Sequence, residues 1–125
     1  MNKESKRVLW VSRHDALPAQ KKWLGEKLGV TEVVHDARPF SGAEEIAQRF
    51  RGGNYDEIAV VAPLSVMGKL TELGVRPLWA EMKEVGSEAF DAESDALLES
   101  STKTRHMRFV TFRRVTRFVL EFEEV

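Results

Sequence analysis

Four short apolar runs, at Arg7 to Val11, Thr31 to His35, Glu57 to Val61 and Arg76 to Glu81, are separated by three stretches with the spacing of amphipathic helices. Alternation of this kind, with short connections, restricts a chain to parallel strands joined by right-handed crossovers, with helices on both faces of the sheet. The first run, Arg7-Val8-Leu9-Trp10-Val11, is mostly apolar and does not alternate, as a strand covered on both faces should be. Pro18 follows where the first turn of a helix tolerates it, which predicts a helix over 18–28 with Trp23, Leu24 and Leu28 as its apolar stripe and Gly29 as its stop. Ser41, with Glu44 three residues on, predicts a capping box. Behind it Ala43, Ile46, Ala47 and Phe50 share one helical face, and Gly52-Gly53-Asn54 ends the helix. A third helix is expected from about Ser65 to Leu73, burying Val66, Met67, Leu70 and Leu73 and closed by Gly74.

The last third reads differently. Residues 86–103 are small, polar and acidic, with room for a helical turn or two around Ala92 to Leu98. Two apolar-rich runs follow, Arg105–Phe112 and Val115–Val125. In the second, Phe118, Leu120 and Phe122 alternate with Val119, Glu121 and Glu123, which is the pattern of a half-buried strand, and Arg113-Arg114 marks a bend or bulge between the runs. The expected fold class is therefore α/β, a Rossmann-like three-layer arrangement over 1–125. Its sheet is mainly parallel, with an antiparallel C-terminal strand pair that extends one edge or pairs with a second subunit.

A length of 125 residues fits one domain. The absence of cysteine excludes disulfides, thiolate metal sites and a cysteine nucleophile. A net charge of -1 provides no global field for nucleic acid or membrane, and the first apolar run is too short for a signal or a span, so a cytoplasmic protein is expected. Charge is nonetheless segregated. Glu84 to Glu99 holds six acidic residues and no basic one, and Lys103 to Val119 holds six Lys or Arg residues and no acidic one. Either the acidic segment neutralises the basic strands, or the basic strands, with Arg105, Arg108, Arg113, Arg114 and Arg117, face a polyanion such as nucleic acid.

In open α/β sheets ligands bind beyond the carboxyl ends of the strands, and polar groups gather there. Ser12-Arg13-His14-Asp15 follows the first strand and precedes a helix. Arg13 can fork onto a phosphate, His14 can act as general acid or base, Ser12 can donate to an anion, and Asp15 is either part of the site or a helix cap. After the third strand comes Ala62-Pro63-Leu64-Ser65, where Ser65 either caps the next helix or offers its hydroxyl to a phosphate, with Lys69 one turn further on. Trp79, Glu81 and Lys83 surround the end of the fourth strand, and His35, Asp36 and Arg38 the end of the second. Trp10 and Trp79 are expected in the core, although an exposed Trp79 would be free to stack on a base. GxGxxG, GxxxxGK[ST] and GxSxG are all missing, and the three histidines form no HxH or HExxH, so no metal and no dinucleotide cofactor is expected.

The stretch Val8-Leu9-Trp10-Val11-Ser12-Arg13-His14-Asp15-Ala16-Leu17-Pro18-Ala19-Gln20 resembles the strand, Ser/His-bearing turn and helix start of the small stand-alone proteins of type III CRISPR systems built on a CRISPR-associated Rossmann fold. Ala62-Pro63-Leu64-Ser65 is similar to their second ligand-contacting turn. The resemblance covers the first two-thirds of the chain and leaves the basic C-terminal strands outside it. It implies a homodimer binding a cyclic oligoadenylate second messenger across its two-fold axis. Some members are ring nucleases that cleave this messenger without metal, by attack of a ribose 2′-OH on the adjacent phosphate. On this chain Ser12, Arg13 and His14 would carry the first turn and Ser65 and Lys69 the second. A non-catalytic nucleotide-binding or sequestering module, and any other phosphate-bearing ligand, fit the same residues.

Overall fold

The computed structural model describes residues 5–119 and 121–125. Strand β1 (Arg7–Val11) leads into helix α1 (Pro18–Leu28), and β2 (Glu32–Asp36) into α2 (Ala43–Gly52). Next come β3 (Glu57–Val60), α3 (Leu64–Glu72) and β4 (Leu78–Glu84), then two further strands, β5 (Asp95–Glu99) and β6 (Thr104–Arg114). They form one six-stranded sheet in the order β2-β1-β3-β4-β6-β5. The first four strands are parallel, while β6 runs antiparallel to β4 and β5 antiparallel to β6. The fold is thus α/β with a mainly parallel sheet, as the alternation of strand and helix periods implied, and an antiparallel pair at one edge.

The helices divide between the two faces. Leu9, Val11, Ile58 and Val60 point to one side and pack under Ala43, Ile46 and Ala47 of α2 and Met67 and Leu70 of α3. Val8, Trp10 and Ala59 point to the other, under Ala16 and Leu24, where Leu78 and Phe112 join them. Strand period 2 thus serves two separate cores, which is why these strands read as nearly continuous apolar runs. The helix ends are set by local chemistry. Gly29 closes α1 in the left-handed region at φ 71°, and its N–H returns to the Gly25 carbonyl. The expected capping box at Ser41 does not form: Gly42 is the cap residue of α2, and Ser41 Oγ instead donates to Glu45 Oε1 at 3.4 Å. Ser65 does not cap α3 either, because the helix begins one residue earlier, after Pro63.

The last third departs in part from expectation. One turn forms before Asp95, closed by the Asp95 N–H on the Asp91 carbonyl at 2.8 Å, but from Asp95 to Glu99 the segment is a strand, β5. It is fixed to β6 by Asp95, whose carboxylate accepts from Arg108 Nε at 2.7 Å and lies 2.6 Å from His106 Nε2. The antiparallel pair is therefore β5 with β6. The run Val115–Val125 is not a strand in its described residues, since both edges of β6 are already taken by β4 and β5. Instead the Val115 N–H donates to the Pro77 carbonyl, and the Phe118 ring lies over Gly68 of α3. Leu120, part of the expected alternation, lies outside the described residues. Trp10 is buried, but Trp79 is 43% exposed.

A bulge sets the phase of β6. Glu81 pairs with Thr111 and Met82 with Phe109, so Val110 is one residue too many on its strand. The extra residue lets Phe109 share the α1 face with Phe112 despite their odd spacing. On the other phase, Arg108 meets Asp95. The basic strand is largely neutralised within the fold. Arg105 pairs with Glu84, Arg108 with Asp95 and Glu88, Arg113 with Glu81, and Arg114 with Glu57. Among the described residues no helix is long and apolar enough to cross a membrane.

Candidate functional site

In the order β2-β1-β3 the chain leaves β1 toward α1 on one face, and later leaves β3 toward α3 on the other. The loops after β1 and β3 therefore diverge and open a crevice at their carboxyl ends, where open α/β sheets bind ligands. The Val61 N–H donates to the Val11 carbonyl, and the Ser12 N–H donates to the Asp36 carbonyl, so the ends of β1, β2 and β3 stay in register up to the crevice.

The turn Ser12 to Asp15 is held from several sides. The Trp10 indole N–H donates to the His14 carbonyl at 2.9 Å. His35 Nε2 lies 2.8 Å from the Ser12 carbonyl, which can only accept, so this ring nitrogen carries a proton. The His14 N–H donates to Ser12 Oγ at 3.3 Å, leaving the hydroxyl proton of Ser12 free for another acceptor. Asp15 accepts from the Ala16 N–H and from Lys21, so it stabilises the approach to α1.

The loop after β2 supplies the rest. Asp36 is buried at the strand end. Its two oxygens accept from Arg38 Nε at 2.9 Å and Nη2 at 2.7 Å, and the Arg38 N–H adds a third bond at 3.0 Å. Arg49 of α2 approaches within 3.6 Å. The Arg38 fork holds the Asp36 carboxyl down to about 2, from an ordinary 3.8, against the opposing effect of burial. Because the folded value lies below the unfolded one, the pair stabilises the fold above the unfolded value, and that contribution disappears as pH falls through the folded one. Denaturant midpoints measured between about pH 4 and pH 2 are expected to drop, and the Asp36→Asn variant to drop less steeply. Equal slopes for the two proteins would remove this assignment.

Ser12, Arg13, Ala37, Arg38, Pro39, Phe40 and Val61 line a cavity of about 350 Å³ between these loops. A shallower hollow of about 450 Å³ lies beside it, along Val34 to Arg38 and Tyr55, and the two share Ala37 and Arg38. Of the residues expected in the site, Ser12 and Arg13 meet in the cavity wall. Arg13 has no carboxylate partner among the described residues. His14 is exposed and outside the lining, and Asp15 is engaged with Lys21. Pro63, Leu64 and Ser65 form the exposed start of α3 just beyond Val61. The Leu64 and Ser65 N–H groups have no acceptor among the described residues. Lys69 pairs with Glu72 in the last turn of α3 at 3.5 Å, and Glu81 pairs with Arg113 at 2.6 Å, so both are committed elsewhere.

The start of α1 is closed to an anion. The Ala19 N–H donates to the Glu93 carbonyl at 2.8 Å and the Leu17 N–H to Gln20 Oε1 at 2.8 Å, while Pro18 has no N–H. The acidic segment thus caps the helix with a backbone carbonyl. Pro39 and Phe40 are cavity residues that sequence reasoning passed over, and Arg38 was noted at the strand end but given no role. Their signal was an Arg two residues after an Asp at a strand end, followed by an aromatic, on the same edge as Ser12. Among the described residues no three or more His, Cys, Asp or Glu side chains are grouped to hold a metal ion. Chemically, the cavity offers Arg13, a cation with no carboxylate partner among the described residues, one hydroxyl donor and an apolar wall. No protein-family model matches the chain, and neither the curated proteins nor the solved structures give a match to it.

Proposed function

We propose that the protein binds a phosphate-bearing ligand in the crevice between β1 and β3, and that this ligand is a cyclic oligoadenylate. The observation that carries the reading is Arg13, a guanidinium without a carboxylate partner among the described residues, beside the Ser12 hydroxyl in the wall of the switch-point cavity. The likeness of Val8 to Gln20 to the CRISPR-associated Rossmann proteins supports the choice of ligand. A ring with rotational symmetry suits a homodimer in which each subunit presents one such crevice. The open start of α3, at Leu64 and Ser65, adds amides that favour a second phosphate.

Cleavage on this reading needs no metal. A ribose 2′-oxygen, losing its proton, attacks the adjacent phosphorus. The bond to the 5′-oxygen breaks, that oxygen takes up a proton, and a 2′,3′-cyclic phosphate and a 5′-hydroxyl remain. Arg13 and Ser12 stabilise the charge that builds on the phosphate. A second reading, sequestration without turnover, is favoured by the position of His14, which is outside the cavity lining and so offers no acid or base there. A role in binding nucleic acid through β6 has less support, because Arg105, Arg108, Arg113 and Arg114 are paired with carboxylates.

Incubation with cyclic tri-, tetra- and hexa-adenylate in the presence of chelator tests both readings. One ring is expected to bind, and Arg13→Ala to weaken that binding roughly 10- to 100-fold. Linear products would establish the nuclease, and a bound but intact ring the sequestering module. Failure of every ring to bind would withdraw the ligand.

A further inference from the structure

Arg13 and Arg38 line the same cavity but differ in electrostatic state. Arg38 is clamped by two of its nitrogens to the buried Asp36 carboxylate, with the Arg49 guanidinium behind it, yet its own side chain is 70% exposed. Its charge is compensated locally and its plane is fixed. A guanidinium held in this way offers a flat surface with its charge already compensated, a poor site for a bare anion and a good one for an aromatic ring. Phe40, two residues on, is half-buried. It packs against the α2/α3 core on one side and lines the cavity on the other. Pro39 and Val61 extend this apolar wall.

We propose that this cavity is a subsite for a single nucleotide, in which Arg13 takes the phosphate and the planes of Arg38 and Phe40 hold the base. The inference rests on the phosphate-ligand reading and narrows it: the base, as well as the phosphate, is recognised. A volume of about 350 Å³ supports it. That is at the small end of small-molecule sites, roughly 300–1,000 Å³, and suits one nucleotide unit better than a whole ring. Stacking tolerates any base, so discrimination lies between nucleotides and abasic phosphates more than among bases. Asp36 acts as a positioning residue, setting the Arg38 plane without touching the ligand.

The test is calorimetric titration with three probes: the linear dinucleotide pApA, ribose 5-phosphate and inorganic phosphate. The parent protein is expected to bind pApA at least roughly tenfold more tightly than ribose 5-phosphate. Arg38→Lys keeps the charge and removes the plane. Phe40→Leu keeps the packing volume and removes the ring. Each is expected to weaken pApA roughly tenfold and to leave ribose 5-phosphate within about twofold, while Phe40→Tyr retains pApA binding. Arg13→Ala is expected to weaken all probes together. If Phe40→Leu fails to fold, the exposed Arg38→Lys carries the comparison. Equal affinity of the parent for pApA and ribose 5-phosphate, or equal losses on both probes in Arg38→Lys, would overturn the base subsite while leaving a phosphate site in place. No binding of any probe would remove the phosphate reading itself.

Discussion

Truncating Phe112 to alanine is expected to cost about 3–5 kcal/mol, the range for removal of a buried aromatic side chain. Phe112 is 6% exposed and packs in the core under α1. Its ring meets Trp10 at 5.8 Å, Trp23 at 5.2 Å and Phe109 at 5.0 Å, so one side chain ties β1, α1 and β6 together. Aromatic contacts of this kind add roughly 0.5–1.5 kcal/mol each beyond area, although losses at one centre are not additive. Urea titration of Phe112→Ala and Phe112→Leu gives the check. The leucine variant is expected to lose far less, because it keeps most of the buried volume. A loss below about 1 kcal/mol in the alanine variant would mean that the antiparallel edge does not depend on this cluster.

The second large effect is expected at Asp95. Its side chain is inaccessible, and its oxygens meet Arg108 Nε and Nη2, His106, the Asp91 N–H and the Ser94 hydroxyl. The Arg108 fork holds the carboxyl far below the usual carboxylate range, against the opposing effect of burial. Removing the carboxylate leaves a guanidinium and an imidazole facing each other with nothing between them. Asp95→Ala is therefore expected to lower the melting temperature by roughly 10 °C or more. It should also release the 86–94 segment, so exchange of the Ala19 amide proton, bonded to Glu93, should accelerate together with the loss of stability. Melting within about 3 °C of the parent, with Ala19 still protected, would show that β5 is held by its backbone ladder alone.

Legibility in the sequence followed how local the determining physics was. The strand and helix periods of residues 7–73 encode their own burial, so α2 and α3 bury the faces their spacing marked. The edge strand β5 was hidden because its determinant, Asp95 with Arg108 and His106, is a contact between residues far apart along the chain, within a segment otherwise polar. Val115 to Val125 carries a strand pattern, but both sides of the strand before it, β6, are taken by β4 and β5, which local sequence cannot report. Trp79 misled for the same reason: exposure depends on what packs above the strand. In the site, Ser12 and Arg13 were readable because the strand-end rule points at them. Arg38 and Phe40 lie at the end of β2 on the same edge, but the importance of Arg38 comes from a clamp to a carboxylate two residues away. That geometry becomes visible only when the loop is folded.

The bond between the Ala19 N–H and the Glu93 carbonyl has a consequence in time. On a ribosome adding roughly 5–20 residues per second, α1 emerges seconds before Glu93 exists. Its first turn lacks its acceptor, and its packing face lacks Phe112, until the antiparallel edge has been made. The first helix in the chain is thus among the last elements to be completed. Nascent chains that end before residue 93 are expected to carry it frayed and open to proteases.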